Sequence, residues 1–380
     1  LEKRDRSSEN YQIDYQYVNQ LTDYQIETFT LQYTNETRKR GGANVILDVN
    51  TPDDGSIKFS NNFSQTDRDY TTSGRTYSSL TNPIYTIRSQ EQKIDNYNSS
   101  LHGKNYFFGL TADWGLSFAQ SKASFPYDYY IDFEEPSSST SGMRLPIPTQ
   151  DLKNPAAFPN YAFDNFSKAS LVWANYNTEN NLDKEKTANL DLTEKYTLGS
   201  LFSGELKLGG KYRIKDRTKD AGELTNNYQI QGFFTTEQLP DGSIVNKDFT
   251  GTRFQNLQIL NGNVLLTNFL DTPPATRNIY GQYPLNPLVN KDAMRLWYDL
   301  NKNGIRVTQH EYLSNEFIAA SSYDVTERVT AGYLMNTLNI GQDATLILGV
   351  RVEKENNDYG SKFSPNVLSG YPTITGVIKD

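Results

Sequence analysis

The segment Phe202–Lys215 alternates apolar and charged side chains along its whole length. A β-strand sends successive side chains to opposite faces, so the segment predicts a strand with one apolar and one charged face. Strands of globular proteins are usually ~5–6 residues long, whereas a tilted membrane strand needs about 9–11 residues for the hydrocarbon alone. The length therefore indicates an antiparallel transmembrane β-barrel. The apolar side chains are Phe202, Leu206, Leu208, Tyr212 and Ile214, and the charged ones are Glu205, Lys207, Lys211, Arg213 and Lys215.

The same alternation recurs in seven further segments, which with the first predict four hairpins. They are Ala43–Asn50, Ser56–Thr66, Lys93–Leu101, Tyr106–Phe118, Thr187–Tyr196, Arg328–Ile340 and Ala344–Val352. Short glycine-containing turns join the pairs, because glycine supplies the positive φ of tight hairpins. The turns are Thr51–Gly55, His102–Asn105, Leu198–Ser200 and Gly341–Asp343. A ninth strand is expected at Gln25–Tyr33, turned at Thr37–Gly42, and Lys168–Tyr176 is interpreted as a loop strand or an extension of the next strand.

Long connections separate the hairpins, at Asp67–Gln92, Lys122–Lys186 and Arg217–Glu327. Short turns at one end and long loops at the other are typical of outer-membrane barrels, whose long loops lie outside the cell. A helix-period pattern with a capping Asn290 predicts one short helix over Asn290–Leu300. The expected division is two hairpins at 43–121, a loop at 122–186, a hairpin at 187–216, a loop at 217–327 with its helix near 290–300, a hairpin at 328–358 and the start of a further loop at 359–380.

The composition agrees with a barrel and excludes several other classes. Hydrophobic residues make up 36% and the mean hydropathy is -0.68, with no apolar run near the ~18–20 residues of a membrane helix. A helical membrane protein is therefore excluded. The 26 Tyr and 19 Phe suit a bilayer interface, although a large soluble β-protein would explain them equally well. Zero Cys removes disulfides and thiolate chemistry, and the net charge of -8 argues against a nucleic-acid partner.

Several of these strands resemble those of TonB-dependent outer-membrane receptors. The resemblance rests on Gly332–Gly341, on Thr345–Glu353 with its Gly-Val-Arg-Val-Glu end, and on Asp358-Tyr359. Gly209–Arg217 and Arg40–Asp48 look like earlier strands of the same barrel. The family implies a plugged barrel of about 22 strands in a Gram-negative outer membrane, with a TonB box on the periplasmic side. No plug or TonB box is recognisable, so we expect an internal barrel segment of about eight to nine strands that lacks the plug and the barrel C-terminus.

The resemblance implies a receptor that binds ligand with its extracellular loops and passes it inward with TonB-coupled energy. Its partners would be outer-membrane lipid, the plug and TonB, a companion surface protein, and a small-molecule, glycan or peptide ligand. Two alternatives stay open: a passive porin-like channel or scaffold without TonB coupling, and a secreted β-rich carbohydrate-binding protein. With only two histidines and no recognisable nucleophile or phosphate loop, neither an enzyme nor a cofactor is expected.

Alternation directs one set of charged side chains into the barrel, because a charge facing lipid costs about 2–4 kcal/mol at the midplane. Such charges contact a plug or a passing ligand, or they form a solvated and mutually paired barrel lining. The lining interpretation is favoured. The set is Lys207, Lys211, Arg213, Arg351 and Glu353.

Two loop features are weaker candidates for binding. Tyr127, Tyr129 and Tyr130 follow a strand, and they would stack on a sugar or siderophore or form the outer aromatic girdle. Asp299, Asn301 and Asn303 match the first half of a calcium loop, but its twelfth position is a histidine. An Asn-rich turn after the short helix is therefore favoured over a metal site.

Overall fold

The computed structural model describes residues 2–18, 23–363 and 374–379. The first part of the chain forms seven long antiparallel strands, and each is longer than the apolar alternation alone would suggest. They are β1 (Glu2–Val18), β2 (Asp23–Asn50), β3 (Ser56–Ser78), β4 (Ile84–Phe107), β5 (Leu110–Glu134), β6 (Ser170–Leu198) and β7 (Phe202–Asn226).

A long insertion follows β7 and contains short elements only. Its strands are β8 (Thr236–Gln238), β9 (Ile244–Asn246), β10 (Ile259–Leu260), β11 (Asn263–Val264), β12 (Ala275–Ile279), β13 (Tyr283–Leu288), β14 (Gly304–Arg306), β15 (Gln309–His310) and β16 (Leu313–Ser314). Its helices are α1 (Tyr228–Gln231) and α2 (Lys291–Asn301), and the chain also has 3-10 turns at Pro155–Tyr161, Phe166–Lys168, Leu266–Phe269 and Glu316–Ser321. Helix α2 is where the periodicity predicts it, and the Asn290 side chain caps it by accepting from the Ala293 N–H.

Three strands complete the sheet: β17 (Tyr323–Ile340), β18 (Ala344–Phe363) and β19 (Ile374–Lys379). The order is β1 to β7, then β17, β18 and β19, with β16 also pairing to β7, and every pairing is antiparallel. The all-β antiparallel fold is thus confirmed, as an 11-stranded sheet of the kind that forms part of a barrel. Among the described residues its two ends, β1 and β19, do not pair with each other.

Seven of the eight predicted strands lie within observed strands, but the predicted strand Tyr106–Phe118 contains the β4–β5 turn, and two predicted turns are wrong. The β4–β5 turn lies at Phe108–Gly109 rather than His102–Asn105. Phe108 and Gly109 adopt the positive φ of a tight turn, 51° and 90°, whereas His102–Asn105 belongs to β4. Thr37–Gly42 is not a turn, since β2 runs through it in unbroken register with β3. Gln25–Tyr33 is therefore the upper part of β2, and its actual partner, β1, was not predicted.

The connections are shorter than predicted because the strands continue beyond their apolar segments. Asp67–Gln92 is mostly strand, with a connection of residues 79–83 only. The first insertion spans residues 135–169 and the second insertion residues 227–322, and Lys168–Tyr176 mostly extends the following strand β6. Of the further loop predicted at 359–380, the part up to 363 belongs to β18 and 374–379 to β19, while 364–373 and 380 lie outside the described residues.

The strand register defines two faces of the sheet. The apolar face carries, from strand to strand, a row of mainly apolar neighbours: Leu47, Phe59, Leu101, Leu116, Ala188 and Tyr212. The polar face carries the adjacent row Asp48, Lys58, His102, Gly115, Asn189, Lys211, Ala331 and Glu353. We call the end with the four short turns the turn end and the opposite end the loop end.

Both insertions pack onto the apolar face at the loop end. The β3–β4 register has no shift, so Arg75 and Tyr85 lie on the same face as Phe59 and Leu101. One core joins the second insertion to β4, β5 and β6 through Trp297, Met294, Ile87 and Tyr129 among others. A second core joins both insertions to β2 and β3 through Phe29, Leu31, Tyr77, Phe158 and Leu285 among others. Within the described part of the chain, no helix is long and apolar enough to cross a membrane.

Candidate functional site

A cavity of about 800 Å³ opens on the polar face at the loop end, which we call the loop-end cavity. Strands β4, β5, β6 and β7 form its wall, and the 3-10 turn Glu316–Ser321 contributes Ile318 and Ser321. Its volume lies within the roughly 300–1,000 Å³ typical of ligand pockets. The wall side chains are Arg88, Gln90, Phe125, Asp128, Tyr130, Asp132, Trp173, Asn175, Asn177, Thr178, Glu179, Lys219, Ala221, Gly222 and Glu223.

A β-bulge at Pro126 decides which residues of β5 face this cavity. Two residues of β5, Phe125 and Pro126, lie opposite the single Gln92 of β4, and the register with β6 shifts at the same place. Phe125 faces the cavity before the bulge, and the even-numbered Asp128 and Tyr130 face it afterwards. One extra residue thus exchanges the two faces of the strand.

The bulge corrects the prediction for the three tyrosines. They lie in β5 rather than in a loop, and Tyr129 is fully buried, with its hydroxyl 2.6 Å from that of Tyr312. Tyr127 packs against Tyr298 and beneath the Arg295 guanidinium, on the opposite face from the cavity. Neither ring can stack on a ligand there. Only Tyr130 lines the cavity.

An ion pair fixes one wall of the cavity. Arg88 donates to both carboxylate oxygens of Asp128, at 2.8 and 2.6 Å, and Gln90 donates to the same carboxylate at 3.1 Å. The paired geometry raises the pKa of Arg88, chiefly through its hydrogen bond to Asp128. This cation is therefore committed to a protein partner.

A second cation is committed in the same way. The Lys219 ammonium lies 3.1 Å from the Glu179 carboxylate, which also accepts from Asn181 at 2.7 Å. Burial opposes ionisation of Glu179, but the hydrogen bonds from Asn181 and Lys219 outweigh it and lower the pKa of the carboxyl. Each of these two ion pairs therefore has no net charge.

Two carboxyl groups in the wall form no ion pair with any cation in the described part of the chain. Asp132 accepts hydrogen bonds from the Thr86 and Tyr130 hydroxyls, both at 2.6 Å, and burial raises its pKa despite them. Glu223 accepts from the Asn315 amide at 2.6 Å. The side-chain amide oxygen of Asn175 is buried and has no hydrogen-bond partner in the described structure. The wall therefore includes hydrogen-bond acceptors that no cation of the described residues occupies.

The register places the five charged residues predicted to face the barrel interior on the polar face. Lys211 and Arg351 line a smaller cavity of about 350 Å³ with Asn189, Asp191 and Tyr333. Arg351 contacts Glu353 at 2.5 Å, and Lys207 contacts Glu205 at 2.7 Å. Arg213 lies between Thr187 and Val329 on neighbouring strands. Arg351 and Lys207 are each paired with an acid of the same strand, and Lys211 and Arg351 are the members that line a cavity.

The calcium-loop interpretation is wrong. Asn301 is fully buried, and its side-chain oxygen accepts from the Lys247 ammonium at 2.6 Å, where a cation would have to bind. Asp299 is paired with Lys302 at 3.0 Å, and the Asn303 carbonyl accepts from the Gln238 N–H. Among the described residues, no three acidic or histidine side chains form a group suited to a metal ion.

The sequence did not reveal the contact between His102 and Asp113, because it placed His102 in the predicted β4–β5 turn rather than in a strand. His102 lies in β4, and its Nε2 is 2.9 Å from the Asp113 carboxylate on β5. The pair lies on the polar face near the turn end and is about half exposed. Moving the turn to Phe108–Gly109 aligns Gly103 with Trp114 and Lys104 with Asp113, which brings His102 within reach.

The loop-end cavity itself was not predicted. Its wall comes from strand extensions whose cavity-facing side chains are mostly polar, while their apolar residues, such as Ile87, Tyr129 and Ile131, lie on the opposite face. The usable signals were the single aromatics Phe125, Tyr130 and Trp173 among polar neighbours. Their common direction depends on the bulge at Pro126, which the alternation alone does not reveal.

Comparison with known proteins gives little further information. No protein-family model matches the sequence, and no curated protein matches it. Among solved structures, the chain is similar to the siderophore receptor PiuA from Acinetobacter baumannii, with a TM-score of 0.32 and 11% sequence identity. The similarity covers 98% of this chain and 44% of that receptor, so the chain spans less than half the length of the protein it matches.

Proposed function

We propose that this chain forms part of an outer-membrane receptor barrel, which binds ligand at its loop end and passes it inward with TonB-coupled energy. The proposal rests on the difference in polarity between the two faces of the sheet. At the turn end the apolar face exposes large aliphatic side chains on neighbouring strands, whereas the polar face carries amides, hydroxyls and paired charges. The exposed side chains include Val45, Leu47, Leu116, Leu190, Leu208, Leu334, Leu348 and Val350.

An exposed apolar surface of this extent needs an apolar environment, because water around it is unfavourable. Lipid supplies that environment, and strands of 18 to 29 residues are long enough to cross a bilayer and continue beyond it. The loop-end cavity opens on the polar face, which would line the barrel. Inward passage from it needs no covalent chemistry. The resemblance of Thr345–Glu353 to TonB-dependent receptors supports the coupling to TonB.

Two neighbouring residues of β5 give a matched test of membrane placement. Leu116 lies on the apolar face and Ser117 on the polar face, and both are exposed. Leu116→Lys should impair insertion by about 2–4 kcal/mol, whereas Ser117→Lys should be well tolerated. The measurement is the fraction of full-length protein in outer membranes that shows heat-modifiable migration. Equal behaviour of both variants, or a wild-type protein that stays in solution without detergent, would contradict the proposal and favour a secreted binding protein.

Energy coupling needs a separate experiment in cells. Uptake of a bound ligand should stop when TonB is deleted and resume when it is restored, because release through a plug depends on it. Uptake that continues at full rate without TonB would instead identify a passive channel.

A further inference from the structure

We propose that the loop-end cavity binds a neutral, hydroxyl-rich carbohydrate. The inference rests on the proposed receptor function and names the ligand class of that same cavity. It is carried by three properties of the wall: exposed aromatic surface, cations already committed to carboxylates, and unused hydrogen-bond acceptors.

The aromatic surface comes from three side chains on adjacent strands. Phe125 and Tyr130 lie on β5 and Trp173 on β6, and all three are partly exposed in the cavity. Trp173 lies directly opposite Asp132 in the register, so a carboxylate flanks its ring. An aromatic ring offers a flat apolar face and can pack against the C–H face of a sugar ring, while nearby polar groups reach its hydroxyls.

The charges of the wall disfavour an anionic ligand. Both basic residues that line the cavity are held by acids, Arg88 by Asp128 and Lys219 by Glu179. An anion would have to break one of these pairs or remain unpaired, and an unpaired charge in a partly buried cavity is costly. Anionic metal chelates are therefore poor candidates for this wall.

The remaining hydrogen-bonding groups favour a ligand rich in donors. Among the described residues the buried side-chain oxygen of Asn175 has no partner, and Asp132 and Glu223 accept only from neutral hydroxyl or amide groups. An unsatisfied buried acceptor is unfavourable until a donor reaches it. Sugar hydroxyls are neutral donors at the necessary density. A cationic ligand would also satisfy these acceptors and could lie against the aromatic rings, so a cationic probe is needed to separate the two classes.

The test uses full-length protein in detergent on an array of neutral glycans that covers hexose, pentose, deoxyhexose and N-acetylhexosamine oligomers. Spermidine and a ferric tris-catecholate serve as the cationic and anionic probes. We expect saturable binding to at least one neutral glycan, weakened about tenfold by Trp173→Ala and several-fold by Asn175→Leu. Trp114→Phe, outside the cavity, should bind as wild type.

Folding of each variant is checked by heat-modifiable migration, and Trp173→Phe should restore part of the affinity if Trp173→Ala folds poorly. Binding to spermidine or the chelate without any neutral glycan would overturn the inference. An array without a hit that depends on Trp173 would also overturn it. The Leu116→Lys and Ser117→Lys comparison does not involve ligand, so it separates failure of the ligand class from failure of the membrane placement.

Discussion

The apolar face of the sheet has two regions with similar side chains and opposite surroundings. At the turn end, Leu47 is 57% exposed and Leu116 is 52% exposed. At the loop end, Leu31 and Ile87 are completely buried beneath the two insertions. The difference teaches that apolar alternation identifies the face of a strand, while the length and packing of the connecting segments decide what covers it.

A polar stretch separates the two regions along the strands. On the apolar face of β3, β4 and β5 it carries Asp67, Lys93, Asp95 and Lys122. Helix α2 of the second insertion contacts the sheet on the loop-end side of this stretch. Lys291 contacts Asp69 at 2.5 Å, and Arg295 contacts Glu91 at 2.5 Å. The covered region therefore begins where the exposed apolar surface ends.

The largest effect is expected from emptying the core of the covered region. Trp297 is fully buried, and its ring lies within 5.2–6.2 Å of Phe233, Phe249, Phe254 and Phe269. Trp297→Ala should destabilise the docked insertion by about 3–5 kcal/mol. Hydrogen exchange should then accelerate in residues 227–322 and in the loop-end half of β4, but not at the turn end.

Phe108→Ala is the control for that comparison, because the Phe108 ring is fully exposed in the β4–β5 turn. It should leave exchange unchanged in both regions. If Trp297→Ala accelerated exchange equally at both ends of β4, the two regions would form one cooperative unit and the comparison would fail.

A smaller effect is expected at the residue that ties both insertions to the sheet. Arg75 is buried between the Tyr77 and Tyr85 rings, contacts Asp164 of the first insertion at 2.5 Å, and donates to the Asn286 carbonyl of the second at 3.1 Å. Arg75→Met should weaken docking by about 1.5–3 kcal/mol, because hydrogen bonds to a buried charge are lost. Limited proteolysis of the insertions under increasing denaturant measures the loss.

Lys153→Met is the matched comparison for Arg75→Met. Lys153 joins the first insertion to Asp23 at 2.6 Å, but both side chains of this ion pair are about half exposed. Its loss should cost at most about 1 kcal/mol. Equal losses in the two variants would show that burial of Arg75 contributes nothing beyond its charge.

A further effect is a pH dependence on the polar face between the two regions. Burial of Glu36 opposes ionisation, but hydrogen bonds and charges from Arg68, Arg6 and Arg38 outweigh it and lower the pKa of the carboxyl to about 2. The folded pKa is below the unfolded one, so this contribution is complete above about pH 4.5 and is lost as the pH falls towards 2. Thermal unfolding from pH 7 to pH 2.5 should show the loss, and Glu36→Gln should reduce its slope.

The strands could be predicted because alternation is a local property, as Phe202–Lys215 illustrates. The β4–β5 turn could not, because Tyr106 and Phe108 continue the alternation into the turn. The loop-end half of β3 is polar apart from Tyr70 and Tyr77, so its sequence resembles that of a loop. The cores depend on distant contacts such as Arg75 with Asn286, which leave no periodic signal.

The candidate site was predicted only in part for a related reason. Tyr130 was named with two neighbours that face the other way, since the sequence does not reveal the extra residue at Pro126. The sequence places Trp173 and Asn175 in a loop strand or a strand extension, although they line the cavity beside Tyr130 and Asp132 of the neighbouring strand.

The bulge at Pro126 also limits how binding at this cavity can diversify during evolution. Deleting that one residue would turn Tyr129 and Ile131 towards the cavity and Asp128 and Tyr130 towards the insertion, so it would disrupt a core and a binding wall together. Substitutions at the wall residues leave the register intact and carry no such penalty. Related chains should therefore vary in the identity of the cavity residues and in the length of their insertions, while the residue count through β5 stays fixed.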